Sequence, residues 1–216
     1  MTSCPLTLEI TTISAGWIDV KIQFQNQEYE FPISTTWGTD TIFYLLGVLY
    51  YFSPDFVEAC ISEADTYIDE YKSPREYSTE DYLFAYKAIC RWCAEPSILD
   101  WYIERELVDE EDFNLKIRCE SNFYDTEIKT IIDTVVPYKA FTYAVVKAID
   151  DAIKCYGFMG FDESSHRCRE FVMVHYLYLK ALVLNRQDLI EIHRTGNRWE
   201  ITSSLEKEFE LIKLPM

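Results

Sequence analysis

The sequence predicts an α+β fold in which an antiparallel sheet, built from an N-terminal meander and later hairpins, is packed on one face by helices. Two patterns predict this class. Apolar and polar side chains alternate through most of residues 6–33, which is typical of strands with one buried face. Residues 137–156 carry apolar side chains at helical spacing, which predicts a helix that packs on such a sheet.

Three strands make up the predicted meander, with a turn at residues 14–16 and a break at Asn26-Gln27. Their expected inward side chains are Leu6, Leu8 and Ile10, then Ile18, Val20, Ile22 and Phe24, and then Tyr29, Phe31 and Ile33. After the meander, Thr39 or Asp40 can cap a helix. The apolar residues of this helix begin at Ile42 and recur at helical spacing, so we expect it to cover the sheet.

The middle of the chain contains one ambiguous segment and one hairpin. Residues 87–95 continue a helical pattern from Tyr82 but also alternate like a strand before Pro96, so we expect a helix that gives way to a strand. Residues 101–108 and 113–119 flank an acidic turn and predict a hairpin.

The last third of the chain predicts two helices and a final hairpin. Pro137 suits the first turn of a helix over 137–156, and Gly157 suits its end. A loop with Gly160 and residues 162–165 then leads to a helix over 169–184. Its inward side chains are expected to be Phe171, Val174, Tyr178, Ala181 and Leu182. A hairpin over 189–201 follows, and residues 209–214 are expected to extend it.

Composition limits the class of protein. The chain has 216 residues with a formal net charge of −17 and a pI near 4.5, which excludes nucleic-acid binding by phosphate neutralisation. We expect a single domain over 1–216 with an acidic insertion at 53–82. No signal peptide is recognisable, and the apolar run at 42–52 is about half the roughly 20 residues that span a bilayer. Seven cysteines without regular spacing favour reduced thiols, so we expect a cytoplasmic protein.

The negative charge is concentrated in two segments that also contain aromatic residues. Between Ser62 and Asp81 there are seven acidic residues against Lys72 and Arg75, and a second cluster runs from Asp100 to Asp112. Carboxylates that steer a basic partner and aromatic rings that anchor it are typical of a protein interface. The predicted partner-binding residues are Asp65, Tyr67, Asp69, Glu70, Tyr71, Tyr77, Glu80, Asp81, Glu104, Glu106, Asp109, Glu110, Glu111 and Asp112.

Two motifs have the spacing of reactive sites. Cys90 and Cys93 form a CxxC pair, but a redox pair needs its first cysteine at a helix N-terminus, so packed thiols are the favoured interpretation. Glu163 and His166 have the Glu-x-x-His spacing of di-metal sites, with Cys168 and Glu170 as further possible ligands. Such a site needs more ligands than the sequence offers, so a polar helix start is favoured.

The remaining candidates for catalysis lack partners in the sequence. His175 lies among apolar residues and is expected to be a core or boundary histidine, and His193 lies on a strand with no predicted partner. Cys155 and His166 could form a nucleophile pair, but no third orienting group can be named. We therefore predict no catalytic residue, no metal, no cofactor and no enzyme activity.

Several short motifs resemble a group of bacterial immunity-type proteins that are encoded near polymorphic toxins. They are Trp17 with its strand, the Thr39-Asp40 helix through Leu45-Leu46, the strand end at 92–96, the turn at 156–161, Glu170-Phe171 and the helix with 176–180. Val172 stands where the group commonly has proline. The resemblance covers about two-thirds of the chain, omits residues 53–82 and favours a strand for 89–93. It implies a functional class but no site residues.

The resemblance and the acidic segments together predict a function. We expect a cytosolic, non-enzymatic immunity-type protein that binds a cognate basic toxin domain and neutralises it. One alternative is a small metal-dependent or thiol enzyme centred on Glu163, His166, Cys168 and Glu170. The other is an oligomeric interaction protein that uses the same acidic surface.

Overall fold

The predicted α+β class is confirmed by the computed structural model, which describes residues 5–14, 17–34, 42–55, 87–94, 97–105, 114–123, 128–164, 173–195 and 198–216. Within these ranges the strands form three antiparallel sheets, with four, three and two strands. The strands of the meander and of the later hairpins therefore belong to separate sheets. The third strand of the meander lies next to the first strand of the four-stranded sheet.

The three-stranded sheet is the predicted N-terminal meander. It consists of β1 (Leu6–Ser14), β2 (Trp17–Phe24) and β3 (Gln27–Ser34), in that order. The predicted alternation is confirmed in β1 and β2, where Leu8 pairs with Ile22 and Ile10 pairs with Val20 on the buried face. Gln25 has a φ of 56° in the two-residue turn between β2 and β3, as such tight hairpin turns require.

The four-stranded sheet contains β4 (Lys87–Ala94), β5 (Ser97–Arg105), β6 (Asn114–Phe123) and β7 (Lys129–Pro137), in chain order. The strand that the resemblance favours for residues 89–93 is confirmed. The helical pattern from Tyr82 therefore does not reach Ile89, which lies within β4. Trp92 and Trp101 are fully buried on one face of this sheet, with ring centroids 4.9 Å apart. The hairpin of β5 and β6 is also confirmed.

Strand β7 was not predicted, and Pro137 ends it instead of entering the first turn of a helix. A β-bulge explains why the sequence pattern missed this strand. Cys119 pairs with Ile132 and Glu120 pairs with Thr130, so Ile131 is an extra residue between them. Ile131 and Ile132 are consequently both buried, which breaks the alternation that identifies a strand from sequence.

The described helices are α1 (Ile42–Tyr51), α2 (Tyr138–Ser164), α3 (Met173–Val183) and α4 (Leu205–Lys213). The end predicted at Gly157 is a break within α2, where φ of 70° and ψ of 166° are readily adopted by glycine alone. Helical structure resumes and continues to Ser164, so the loop expected around Gly160 is wrong over that range. The candidate caps Thr39 and Asp40 lie outside the described residues.

Two other predictions for the last third of the chain need correction. Val174, expected to point inward, is 47% exposed on α3, whereas Tyr178, Ala181 and Leu182 are buried as expected. Residues 209–214 do not extend the final hairpin, which consists of β8 (Glu191–Thr195) and β9 (Arg198–Thr202). They belong largely to α4, whose start is capped by the side chain of Ser204.

Helix α2 lies along β1, an edge strand of the three-stranded sheet. The side of α2 that faces β1 carries alanines at every fourth position, at residues 140, 144, 148 and 152. Covering an edge strand with a helix is one way in which proteins prevent its backbone from pairing with another chain.

A buried ion pair joins the helical layer. Asp150 of α2 and Lys180 of α3 are both fully buried, and Lys180 Nζ lies 2.5 Å from Asp150 Oδ1. Tyr176 donates a hydrogen bond to the same oxygen at 2.6 Å, and Lys154 donates to Oδ2 at 2.7 Å. Lys180 also donates to the backbone carbonyl of Ile212 in α4 at 3.2 Å. One carboxylate therefore organises contacts among three helices.

Burial and hydrogen bonding act in opposite directions on this pair. Burial disfavours the charge of Asp150, but hydrogen bonds from Lys154, Lys180 and Tyr176 outweigh it and hold the pKa of the carboxyl below its ordinary value. Burial lowers the pKa of the Lys180 ammonium, and Asp150 opposes that change. Asp150 is therefore ionised in the folded protein at neutral pH, and the buried ammonium of Lys180 depends on this carboxylate as its counter-ion.

Replacing Asp150 with asparagine tests this interpretation. We expect D150N to lower the free energy of unfolding by about 3–5 kcal/mol, because Lys180 is then buried without its counter-ion. The neighbouring Asp151, which pairs with Lys147 on the exposed side of α2, provides the control. For D151N, urea unfolding followed by circular dichroism should show that the free energy of unfolding falls by less than about 1 kcal/mol. Equal effects of the two variants would contradict the role assigned to Asp150.

Candidate partner-binding surface

Both acidic segments join the described chain at one end of the four-stranded sheet. Lys87 follows segment 56–86, and Arg105 and Asn114 flank segment 106–113. These three residues lie on the neighbouring strands β4, β5 and β6, where Lys87 pairs in register with Glu104. Strand β6 begins at Asn114, directly before the residue that pairs with Arg105. Three of the four attachment points of the two segments are therefore at the same sheet end.

The fourth attachment point, at the end of α1, is connected to this sheet end by hydrogen bonds. Arg105 is buried, and its Nη1 donates to the backbone carbonyl of Phe52 at 3.5 Å. The buried hydroxyl of Tyr138, in the first turn of α2, donates to the carbonyl of Leu49 at 2.7 Å. These contacts place the last turn of α1 next to the residue from which segment 106–113 departs.

Tyr178 of α3 anchors the chain just before segment 56–86. Its hydroxyl lies 3.0 Å from Ser53 Oγ and donates to the carboxylate of Asp55, the last described residue before that segment. Burial raises the pKa of the Tyr178 phenol, and the hydrogen bond to Asp55 raises it further. Tyr178 is therefore a neutral hydrogen-bond donor at physiological pH and holds Asp55 in place.

The two segments carry most of the net negative charge of the chain. Segment 56–86 has eight acidic and two basic residues, and segment 106–113 has five acidic residues and no basic one. Thirteen predicted partner-binding residues lie in these segments, outside the described residues: Asp65, Tyr67, Asp69, Glu70, Tyr71, Tyr77, Glu80, Asp81, Glu106, Asp109, Glu110, Glu111 and Asp112. The predicted insertion at 53–82 falls almost wholly in the first segment, outside the described residues.

Glu104 is the predicted partner-binding residue that the structure describes. It is half-buried on β5, on the sheet face opposite the buried tryptophans, and pairs in register with Lys87 and Lys116. Because it lies between two basic positions, we expect it to attract a basic partner less strongly than residues 106–112 do.

The rest of β5 adds little free negative charge. Asp100 is buried and accepts hydrogen bonds from Arg91 Nε at 2.6 Å and Nη2 at 3.1 Å. Arg118 packs over the ring of Tyr102 at 4.5 Å. Trp101 is fully buried, so it belongs to the core and cannot anchor a partner. Within β5, the acidic cluster predicted from Asp100 onward therefore contributes little uncompensated negative charge.

The CxxC pair lies within a strand. Cys90 and Cys93 are both on β4, and they point to opposite faces because they are an odd number of positions apart. Cys90 is fully buried beside Trp92, whose indole nitrogen lies 3.1 Å from its Sγ. Opposite orientations prevent the two sulfur atoms from meeting, which supports the interpretation as packed thiols.

The residues of the enzyme alternatives are mostly outside the described part of the chain. His166, Cys168 and Glu170 lie outside it, and Glu163 is placed near the end of α2 by its backbone alone. Within the described ranges, no group of three or more His, Cys, Asp or Glu side chains is arranged to hold a metal ion. Cys155 is exposed on α2, but His166, its candidate partner, is not described.

The two described histidines have neighbours that the sequence did not reveal. His175 is half-buried between α3 and α1 and stacks on the ring of Tyr50 at 4.1 Å. Burial lowers the pKa of His175 to about 4, so its imidazole is neutral at pH 7. His193, for which no partner was predicted, lies 3.6 Å from the carboxylate of Glu191 on an exposed face of β8.

A groove of about 1260 Å³ between β1 and α2 was not predicted. Its charged lining residues include Lys21, which is paired with Glu28 at 2.8 Å, and Lys147, which is paired with Asp151. Charges that are compensated within the chain give this groove little preference for an ionic ligand. No residue pattern in the sequence marks it, because it arises where a strand and a distant helix meet.

The environment of His175 predicts how stability depends on pH. The pKa of its imidazole is about 4 in the folded protein and about 6.5 in an unfolded chain, so the unfolded chain binds the extra proton as the pH falls. Between about pH 7 and pH 5 the wild type should lose about 1–2 kcal/mol more unfolding free energy than H175F does. Urea unfolding at both pH values measures this, and parallel losses would contradict it.

Comparisons with protein-family models, curated proteins and solved structures found no significant match for this chain. Within the described residues, no helix is both long enough and apolar enough to cross a membrane.

Proposed function

We propose that this chain is a cytoplasmic immunity-type protein that binds a basic toxin domain through its acidic segments and neutralises it. The observation that carries the proposal is the position of the segment ends. Residues 55, 87, 105 and 114 lie at one end of the four-stranded sheet, although 58 residues separate the first from the last. Segments that start and finish at one place can contribute to a single surface.

Charge supports a basic partner in particular. Segments 56–86 and 106–113 together contain thirteen acidic and two basic residues. Such a concentration attracts a cationic surface over about 10 Å at moderate salt and accelerates association. The tyrosines at positions 67, 71 and 77 supply rings of the type that anchor interfaces. Occlusion of a toxin active site by this surface requires binding alone, without chemistry.

The proposal predicts that a basic toxin domain is encoded beside the gene of this chain, and that domain is the partner for the test. Co-expression of the chain should restore growth of cells that produce the toxin. Growth arrest despite a soluble chain would contradict the proposal. Rescue by a chain that does not bind the purified toxin domain would also contradict it, because neutralisation would then not occur by occlusion.

Charge neutralisation tests the role of segment 106–113. In stopped-flow measurements, neutralising Asp109, Glu110, Glu111 and Asp112 should lower the association rate constant at least about tenfold at low salt. The wild-type rate constant should itself fall as salt rises from about 20 to about 300 mM. The control variant makes the same change in net charge at exposed acidic residues elsewhere, namely Glu9, Glu30, Asp133 and Glu200. Equal effects of the two variants would show that bulk charge, and not this segment, steers binding.

A further inference from the structure

Helix α4 presents an apolar face to solvent. Leu205 is 65% exposed and Phe209 is 51% exposed, and they are four residues apart on one side of the helix. Ile212, seven residues after Leu205, lies at the edge of this side, is half-buried and packs against the core. Leu211 is fully buried on the inward side. The helix is therefore attached to the core through one side while a second apolar side remains uncovered.

The uncovered face is held in a fixed position. Lys180 donates to the carbonyl of Ile212 at 3.2 Å, and Lys154 donates to the carbonyl of Leu214 at 3.0 Å. Arg186 forms an ion pair with Glu210 at 2.7 Å. Contacts along its second half thus fix the rotation of α4 about its axis. The exposure of Phe209 is consequently a property of the packed helix and requires no rearrangement before binding.

Charges beside this face form a self-complementary pattern. Glu206 and Lys213 are seven residues apart, which places them two turns apart on the same flank of the helix. Glu206 lies three residues before Phe209 and Lys213 lies four residues after it. The two charges are therefore at nearly equal distances from Phe209 and have opposite signs.

We propose that the α4 face associates with the same face of a second copy of this chain, with the two helices antiparallel. A two-fold axis beside Phe209 then brings Glu206 of each copy to Lys213 of the other, and Leu205 and Phe209 bury one another. Parallel helices would instead place Glu206 of each copy beside the flank of the other that carries Glu208, about two residues away in height, which is repulsive. The charge pattern therefore selects the antiparallel arrangement.

The described residues at which the acidic segments join the chain lie on a different side of α3 from α4. Tyr178, which contacts the end of α1, and Lys180, which contacts α4, are two residues apart and so leave α3 in opposite directions. Self-association through α4 therefore keeps the acidic attachment points away from the two-fold axis. Because each copy contributes few exposed apolar side chains, we expect a weak and reversible dimer.

Sedimentation velocity over about 5–500 µM protein, at about 0.15 M salt, tests the proposal. The wild type should shift from monomer to dimer, and F209N should weaken dimerisation at least about tenfold. The control is V174N, which replaces a 47% exposed apolar residue on α3 and should leave the dimer unchanged. Circular dichroism checks that each variant is folded. A wild type that stays monomeric throughout, or an F209N variant that still dimerises normally, would overturn the proposal.

Charge reversal separates the antiparallel arrangement from non-specific association. E206K and K213E should each weaken the dimer several-fold, because each brings like charges together across the two-fold axis. The double variant E206K/K213E restores opposite charges and should recover most of the wild-type affinity. A double variant no better than either single variant would refute the antiparallel pairing, even if the protein dimerises.

Discussion

The buried pair of Asp150 and Lys180 is the interaction on which the arrangement of the helices depends. A charge that is removed from water must find a counter-ion and hydrogen-bond partners, since burial alone costs several kcal/mol. Asp150 meets this requirement with Lys180, Lys154 and Tyr176, which come from α2 and α3. Lys180 meets it with the carboxylate and with a carbonyl of α4. The positions of three helices are thereby linked.

The same pair also determines how α3 faces its other neighbours. With Lys180 directed towards α2 and α4, Tyr178 leaves the helix on the opposite side and reaches Ser53 and Asp55 at the end of α1. Arg105 completes this junction from the four-stranded sheet. The acidic segments therefore attach at a junction that the buried pair helps to orient, while α4 lies on the other side of α3. The positions at which the acidic segments join the fold are consequently more informative about this protein than its net charge of −17.

Sequence patterns predicted elements well where burial was regular and poorly where it was not. Strand β2 and the first half of β1 alternate regularly and were predicted, whereas the bulge at Ile131 concealed β7. Helix α4 was mistaken for a strand because it is short and its inward side is almost limited to Leu211. At the candidate surface, the sequence located the acidic segments but gave no indication of Arg105 or Tyr178, because an isolated arginine or tyrosine has no periodic signal. Their role depends on contacts with residues more than fifty positions away.

The sequence by itself determined the α+β class and the position of the acidic segments. These properties follow from composition and from local periodicity, which act over a few residues. Only the tertiary structure decided that residues 55, 87, 105 and 114 lie at one sheet end, and that Asp150 meets Lys180. The physical reason is that burying a charge or covering a sheet edge is a requirement that partners distant in sequence can satisfy. Which of them do so is settled by how the helices and sheets pack.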